Sequence, residues 1–229
     1  MTVASTAGAK APGYRVIARG NSRGEIYLYG PIGSDWSGEG VSAKMLADDL
    51  RKLGAVKTID VRINSEGGDV FAGKAMFSLL KEHKAKIIVH VDGLAASAAS
   101  FIMLAGDEIE IADGAFVMIH DAYGGCRGRA EEMRAYADLL DSVNASIVEA
   151  YVSRTRNSAE DIRKWMAEET WMDGREAVKR GFADRLSGGS GARAATVSNP
   201  KMYSNLPAAL RPNRKAVAAK LAALAKPGK

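Results

Sequence analysis

Three short runs rich in β-branched residues, "KTIDVRIN" (57–64), "KIIVHV" (86–91) and "AFVMIH" (115–120), punctuate the middle of the chain. The first two run straight into turns of glycine and other small residues, and then into stretches of helical period. A chain that repeats strand, small-residue turn and helix has a narrow choice of architectures. It is expected to form a mostly parallel sheet flanked by helices. The remaining segments agree. "EIYLYG" (25–30) and "EIEIA" (108–112) alternate as strands. "VSAKMLADDLRKLG" (41–54) places Val41, Met45, Leu46, Leu50 and Leu53 on one helical face and stops at Gly54. "DVFAGKAMFSLLKEH" (69–83) has the same period, and "AASAASFIML" (95–104) reads as a short apolar helix. A long amphipathic helix is expected from Arg129 to about Ser153, followed by helices in "SAEDIRKWM" (158–166) and "DGREAVKRG" (173–181).

Both ends differ from this body. Residues 1–24 are rich in Ala, Gly, Ser and Thr and are expected to be a mobile arm, which leaves 25–187 as the folded domain. "SGGSG" (187–191) reads as a linker into a flexible basic tail, 188–229. The tail dominates the charge. From Gly188 onward there are eight basic residues and no acidic ones, so residues 1–187 hold 24 of the 32 basic side chains and all 27 acidic ones. The net charge of +5 therefore belongs to the tail, and the body is mildly acidic at −3. A body of that sign does not suit specific nucleic-acid binding. No apolar run approaches the roughly 20 residues that span a membrane. The N-terminal stretch lacks the apolar centre of a signal peptide, so a cytoplasmic location is expected. A single cysteine, Cys126, excludes an intrachain disulfide framework and a cysteine-rich zinc site. No metal or other cofactor is expected.

Within "GLAASAAS" (93–100), Ser97 and Ser100 sit among alanines and a glycine. Small residues let a helix pack closely, and a serine there has an ordinary structural reading. The other reading makes one of them a nucleophile on a strand-to-helix turn, which requires a base of near-neutral pKa. There are three histidines. His83 closes a polar helix end, His90 lies inside an apolar strand, and His120 ends "FVMIH" just before the turn "DAYGG". Sites in α/β folds collect at the carboxyl ends of strands, which favours His120. "INSEGGDV" (63–70) adds paired glycines that let backbone N–H groups face outward.

Taken in order, "INSEGGDVFAG", "DGLAASAASFIMLAG", "AFVMIHDAYGG" and "TWMDGREAVKRGFAD" resemble the proteolytic subunit of Clp protease over roughly Glu25 to Leu186. That family's pattern is an Asn-Ser-Pro-Gly-Gly turn, a Gly-x-Ala-Ala-Ser nucleophile motif and a Met-Ile-His motif. The resemblance implies an α/β fold of the Clp protease/crotonase type, with repeated β-β-α units and a protruding handle helix beginning near Arg129. It implies Ser97 as nucleophile, His120 as general base, and the backbone N–H groups of Gly68 and Ala98 as oxyanion donors, with Ser100 left as a packing residue. Three departures stand out. Glu66 replaces the turn proline, Ala98-Ala99 replaces the usual Met-Gly after the nucleophile, and Glu169 occupies the position of the triad aspartate, with Glu168 and Asp173 as rivals. With "GDVFAG", "KAKIIVHVDGLAAS" and "ETWM", these departures resemble the Clp-like head-maturation proteases of tailed bacteriophages and prophages.

The implied function is a serine endopeptidase acting through an acyl-enzyme on protein or peptide chains, capsid or scaffold chains among them, in a homo-oligomeric ring. A housekeeping subunit served by an ATP-dependent unfoldase is the alternative within the class. An acyl-CoA hydratase or isomerase, or an inactive assembly scaffold on the same fold, is the alternative outside it. A tail of this composition is expected to be separable from hydrolysis itself.

Overall fold

The computed structural model of the chain describes residues 13–20, 22–33, 40–188 and 197–211. Its centre is a parallel pair, β3 (Thr58–Ser65) and β4 (Lys86–Ala96), in the register Val61↔Val89. On one face of that pair Ile59, Val61 and Ile63, with Ile87, Val89 and Val91, are buried. Two helices follow the alternation: α1 (Ala43–Leu53) buries Leu46 and Leu50, and α2 (Val70–Lys81) buries Met76 and Leu80. Each helix starts where a side-chain oxygen satisfies an orphan N–H. Ser42 accepts from Met45 N–H at 3.2 Å, and Asp69 accepts from Ala72 N–H at 2.6 Å.

The other face carries charge instead of a helix layer. Arg23 pairs with Asp60, His90 lies 2.9 Å from Asp60 and 3.2 Å from Glu110, and Arg185 pairs with Glu110. His90 is thus a satisfied structural histidine, remote in role from the catalytic chemistry its residue type suggests. His83 is half-buried, and its Nδ1 accepts from Ala85 N–H at 3.1 Å.

The sheet has eight strands among the described residues, and its order is β1-β2-β3-β4-β5-β8. β2 (Arg23–Tyr29), β5 (Glu108–Ile111) and β8 (Arg185–Leu186) continue the parallel arrangement. β1 (Tyr14–Arg19) runs antiparallel to β2, with Tyr14 and Val16 buried. This corrects the expected arm at 1–24, because residues 14–19 belong to the sheet. The small-residue composition of the arm hid an alternating six-residue run, "YRVIAR".

β4 is longer than its β-branched run and continues through "DGLAA" to Ala96. Its first half pairs with β5 (Ile88↔Glu108 to Val91↔Ile111). Its second half pairs with β6 (Phe116–Ile119), in the register Leu94↔Phe116 to Ala96↔Met118. β7 (Thr170–Asp173) returns antiparallel to β6. After β4 come a short helix, α3 (Ala98–Ile102), and a 3₁₀ turn, Met103–Ala105.

α4 (Ala130–Thr155) has 26 residues, and its buried positions, Val143, Ile147, Val148, Tyr151 and Thr155, all lie in its second half. No residue of its first half is buried. α5 (Ala159–Ala167) and α6 (Gly174–Lys179) complete the helices. Part of the expected tail is packed. Val197, Leu206 and Leu210 are buried against Leu94, Ala96 and Met118, so residues 197–211 lie on the end of β4 and β6. Phe182, fully buried with its ring 5.5 Å from that of Tyr151, ties the α6–β8 connection to α4. Phe182→Ala should therefore lower unfolding stability by about 3–5 kcal/mol. Urea unfolding followed by far-UV circular dichroism measures this, and a loss under 1 kcal/mol (roughly the cost of a surface change) would show that the contact is not structural.

Candidate active site

Strand register brings distant residues to one edge. Ala96 pairs with Met118, and Ser97 N–H donates to Met118 O at 2.9 Å, so Ser97 follows directly off β4 beside the end of β6. His120 is the first residue beyond β6. Because β6 and β7 pair as Ile119↔Thr170, one further step sets His120 opposite Glu169. In β3, Ser65 pairs with Ala95, which brings the Glu66-Gly67-Gly68 turn alongside Ser97. Ser97 Oγ lies 2.8 Å from His120 Nε2. The structure thus joins the expected nucleophile and base directly.

Ser97 has φ 53° and ψ −126°, a conformation side chains other than glycine avoid, with a cost of about 1–3 kcal/mol. Three backbone contacts fix it. Besides the bond from Ser97 N–H to Met118, the Ser97 carbonyl accepts from Ser100 N–H at 2.9 Å and from Ser100 Oγ at 2.6 Å. Ser100 Oγ in turn shares a 2.7 Å hydrogen bond with Tyr151 OH, whose phenol is pushed up in pKa by burial. Ser100 is 0% exposed. The packing role expected of Ser100 understates it: it fastens the strained turn to the handle helix. Its spacing three residues after Ser97, suited to a bond back to the Ser97 carbonyl, was the available signal, but nothing in the sequence pointed to Tyr151.

The glycine turn approaches the Ser97 backbone closely. A Cβ on Gly67 (φ 90°) would lie 2.8 Å from Ala98 N and 2.8 Å from Ser97 Cβ. Gly68 (φ 146°) bridges Ile32 through Ile32 N–H to Gly67 O and Asp69 N–H to Ile32 O, both under 3 Å. Adjacent N–H groups along an extended strand point to opposite sides, so that bridge leaves the Gly68 N–H directed away from Ile32. Ala98 is the first residue of α3, where an N–H has no partner within the helix.

Glu169 also has a positive φ, 50°. Its Oε1 accepts from Trp171 Nε1 (3.1 Å) and Asn205 N–H (2.8 Å), and its Oε2 from Ser204 N–H (2.8 Å). Among the described residues no hydrogen bond joins it to His120, so the two are linked through space. Burial lowers the His120 pKa below its ordinary 6.5, and the nearby charges of Glu169 and Asp121 oppose that shift. The rivals are placed elsewhere. Asp173 pairs with Phe116 at the far end of β7 and accepts from Glu176 N–H at 2.9 Å as the cap of α6. Glu168 is exposed at the end of α5.

Ser97 and His120 open on a cavity of about 830 Å³, whose apolar wall includes Phe101, Leu140, Val143 and Ile147. Ser198, Met202 and Tyr203 of the C-terminal segment line it as well. Ser198 N–H donates to Glu66 Oε1 at 2.7 Å, and Tyr203 OH lies 3.5 Å from Glu66 Oε2. Among the described residues no group of three or more His, Cys, Asp or Glu could hold a metal ion, and no helix is long and apolar enough to cross a membrane.

A serine on a strained strand-to-helix turn, bonded to a histidine at the end of the neighbouring parallel strand, is an arrangement that nucleophilic hydrolases use on α/β sheets. The family described as Clp protease matches residues 9–189. The chain is 28% identical over 165 residues to the ATP-dependent Clp protease proteolytic subunit 2 of Treponema denticola, covering 71% of this chain and 81% of that one. This chain belongs to the Clp protease family, a family of serine peptidases.

Ser100→Ala would leave the buried Tyr151 phenol without its partner, at about 1–3 kcal/mol. The double variant Ser100→Ala/Tyr151→Phe should recover part of that loss. A double-mutant cycle in urea tests this, and strictly additive losses would show that the two hydroxyls do not interact.

Proposed function

We propose that the chain is a serine endopeptidase in which Ser97 Oγ attacks the scissile carbonyl carbon. His120 Nε2 accepts the Ser97 proton as the Oγ–C bond forms and returns it to the amine as the C–N bond breaks. Water then repeats the sequence on the acyl-enzyme, releasing the second peptide and restoring Ser97. The single observation that carries this reading is the 2.8 Å contact between Ser97 Oγ and His120 Nε2. The lowered His120 pKa supports it, because the imidazole is then neutral and able to accept at pH 7. With Nε2 accepting, the proton sits on Nδ1, and the nearby Glu169 charge favours the imidazolium that forms when Nε2 takes the Ser97 proton. Gly68 and Ala98 N–H groups are the oxyanion donors of this scheme, each worth on the order of 10²–10³ in rate. The apolar wall of Phe101, Leu140, Val143 and Ile147 suits an apolar side chain beside the scissile bond. A hydratase or isomerase would have no use for the Ser97–His120 pair, and an inactive scaffold would have no need of the strained turn that presents Ser97.

The finer reading places the enzyme in a homo-oligomeric ring. The departures at Glu66, Ala98-Ala99 and Glu169 support processing of phage capsid or scaffold chains, in the cytoplasm or within proheads. The name of the Treponema denticola relative supports a second reading, a subunit served by an ATP-dependent unfoldase. Incubation with scaffold protein, with and without an unfoldase and ATP, separates the two. Cleavage without nucleotide supports processing, and cleavage only with the ATPase supports the second reading.

Ser97→Ala and His120→Ala should each lower peptide hydrolysis by about 10⁴–10⁶-fold, and the double variant should be hardly worse than either. Retained labelling of Ser97→Ala by a fluorophosphonate would move the nucleophile elsewhere. The neutral imidazole is the active form, so hydrolysis should rise with pH through a limb below 6.5 and level off above it. Glu169→Gln removes one of the two charges that raise the His120 pKa. The limb should move further toward acid while the plateau falls by up to roughly 10⁴-fold. A limb that moves toward alkali would show that Glu169 does not act on His120.

A further inference from the structure

Glu169 carries one more methylene than aspartate, so its carboxylate has an extra rotatable bond to fix before its charge can act at a defined point. Trp171, two residues away, donates to Oε1 alone. The remaining donors come from far along the chain: Ser204 N–H to Oε2 and Asn205 N–H to Oε1, both at 2.8 Å. An ionised carboxylate offers about four acceptor sites, so these three donors occupy most of them and fix its position near His120. The donors are themselves held. Leu206 and Leu210 are buried on Leu94, Ala96 and Met118, and Asn205 Nδ2 donates to Glu168 O at 2.6 Å. At the other end, Ser198 N–H is bound to Glu66, beside the Gly67-Gly68 turn. The segment thus spans the site from the glycine turn to the acid, anchored at the two positions, Glu66 and Glu169, where this chain carries glutamates in place of the resembled proline and aspartate.

We propose that Val197–Arg211 is a positioning element of the catalytic machinery, whose Ser204 and Asn205 N–H groups fix the Glu169 carboxylate so that its charge bears on His120. This rests on the reading of Glu169 as the third member of the Ser97–His120 site. The expected separability of everything beyond residue 187 from hydrolysis is replaced by dependence on this segment.

The test uses the full chain and the rate at which a fluorophosphonate modifies Ser97, which needs no knowledge of the peptide substrate. Two variants disturb the segment by different routes. Asn205→Pro deletes one donor, and Leu210→Glu places a charge in the buried apolar seat away from the acid. Each should lower the limiting rate of modification by about 10- to 100-fold, the order expected when a reacting array is displaced by about 1 Å, with little change in the concentration for half-saturation. Asn205→Ala keeps the N–H and should recover most of the rate lost in Asn205→Pro. Neither disturbing variant should slow the reaction further in a Glu169→Gln background.

A pH profile separates positioning from general loosening. His120 faces Glu169, Asp121 and the Tyr123 ring. Withdrawing the Glu169 charge moves the acid limb to lower pH, whereas admitting water to the imidazole moves it up toward 6.5. Faster or unchanged modification in both disturbing variants, losses that add to that of Glu169→Gln, or a limb that moves up would each overturn the proposal while leaving the Ser97–His120 reading intact. A Glu169→Gln variant of undiminished rate would sink the reading of Glu169 and this proposal with it.

Discussion

β4 serves two neighbours in succession, and the site depends on that division. Its first half pairs with β5 and its second half with β6, although β5 and β6 are themselves joined by only a short connection. The change of partner falls at Asp92-Gly93, between Val91, the last residue paired with β5, and Leu94, the first paired with β6. The parallel pairing Ala96↔Met118 then places Ser97 and His120 together, and the antiparallel pairing of β6 with β7 brings Glu169 opposite. Backbone hydrogen bonds are directional and set register over several residues at once. A site built at strand ends in this way inherits the stiffness of the sheet.

The strain at Ser97 is the local counterpart of that stiffness. A φ of 53° followed immediately by α3 lifts Oγ out of the strand direction and toward His120. The cost persists only where surrounding contacts over-determine the turn. Here Met118 O, Ser100 and, through Ser100, Tyr151 of the handle helix share that task. The half of α4 that carries its buried residues thereby connects to Ser97 through two buried hydroxyls, while the other half contributes Leu140 to the cavity wall.

The electrostatics follow from the same arrangement. Burial alone drives the His120 pKa down, and the carboxylates nearby moderate the shift. The imidazole stays neutral near pH 7 without losing its affinity for a proton altogether, as the proposed role of general base requires. The charged row from Arg23 through Asp60, His90 and Glu110 to Arg185 shows the contrasting case. Its histidine is enclosed by carboxylates with no nucleophile within reach, and its role is to satisfy charges on the open face of the sheet.

Strand–helix alternation, the period of each helix, the glycine turn and the candidacy of Ser97 and His120 were legible in the chain, because each depends on residues close in sequence. β1 was hidden because six alternating residues sit in a stretch of small and polar composition. The extension of β4 through "DGLAA" was hidden because glycine and alanine carry no strand signal, and only the neighbouring strands make them one. Which of Glu168, Glu169 and Asp173 lies opposite His120 needed the register of β6 with β7, a pairing between segments about 50 residues apart in sequence that local propensity does not encode. The seating of Val197–Arg211 needed tertiary structure for the same reason. Its three buried apolar residues find their partners on the ends of β4 and β6, and its N–H groups find theirs on Glu66 and Glu169. The sequence by itself determined which groups could carry the chemistry. Tertiary structure decided which of them meet, because long-range register and the burial of distant apolar residues are properties of the folded sheet.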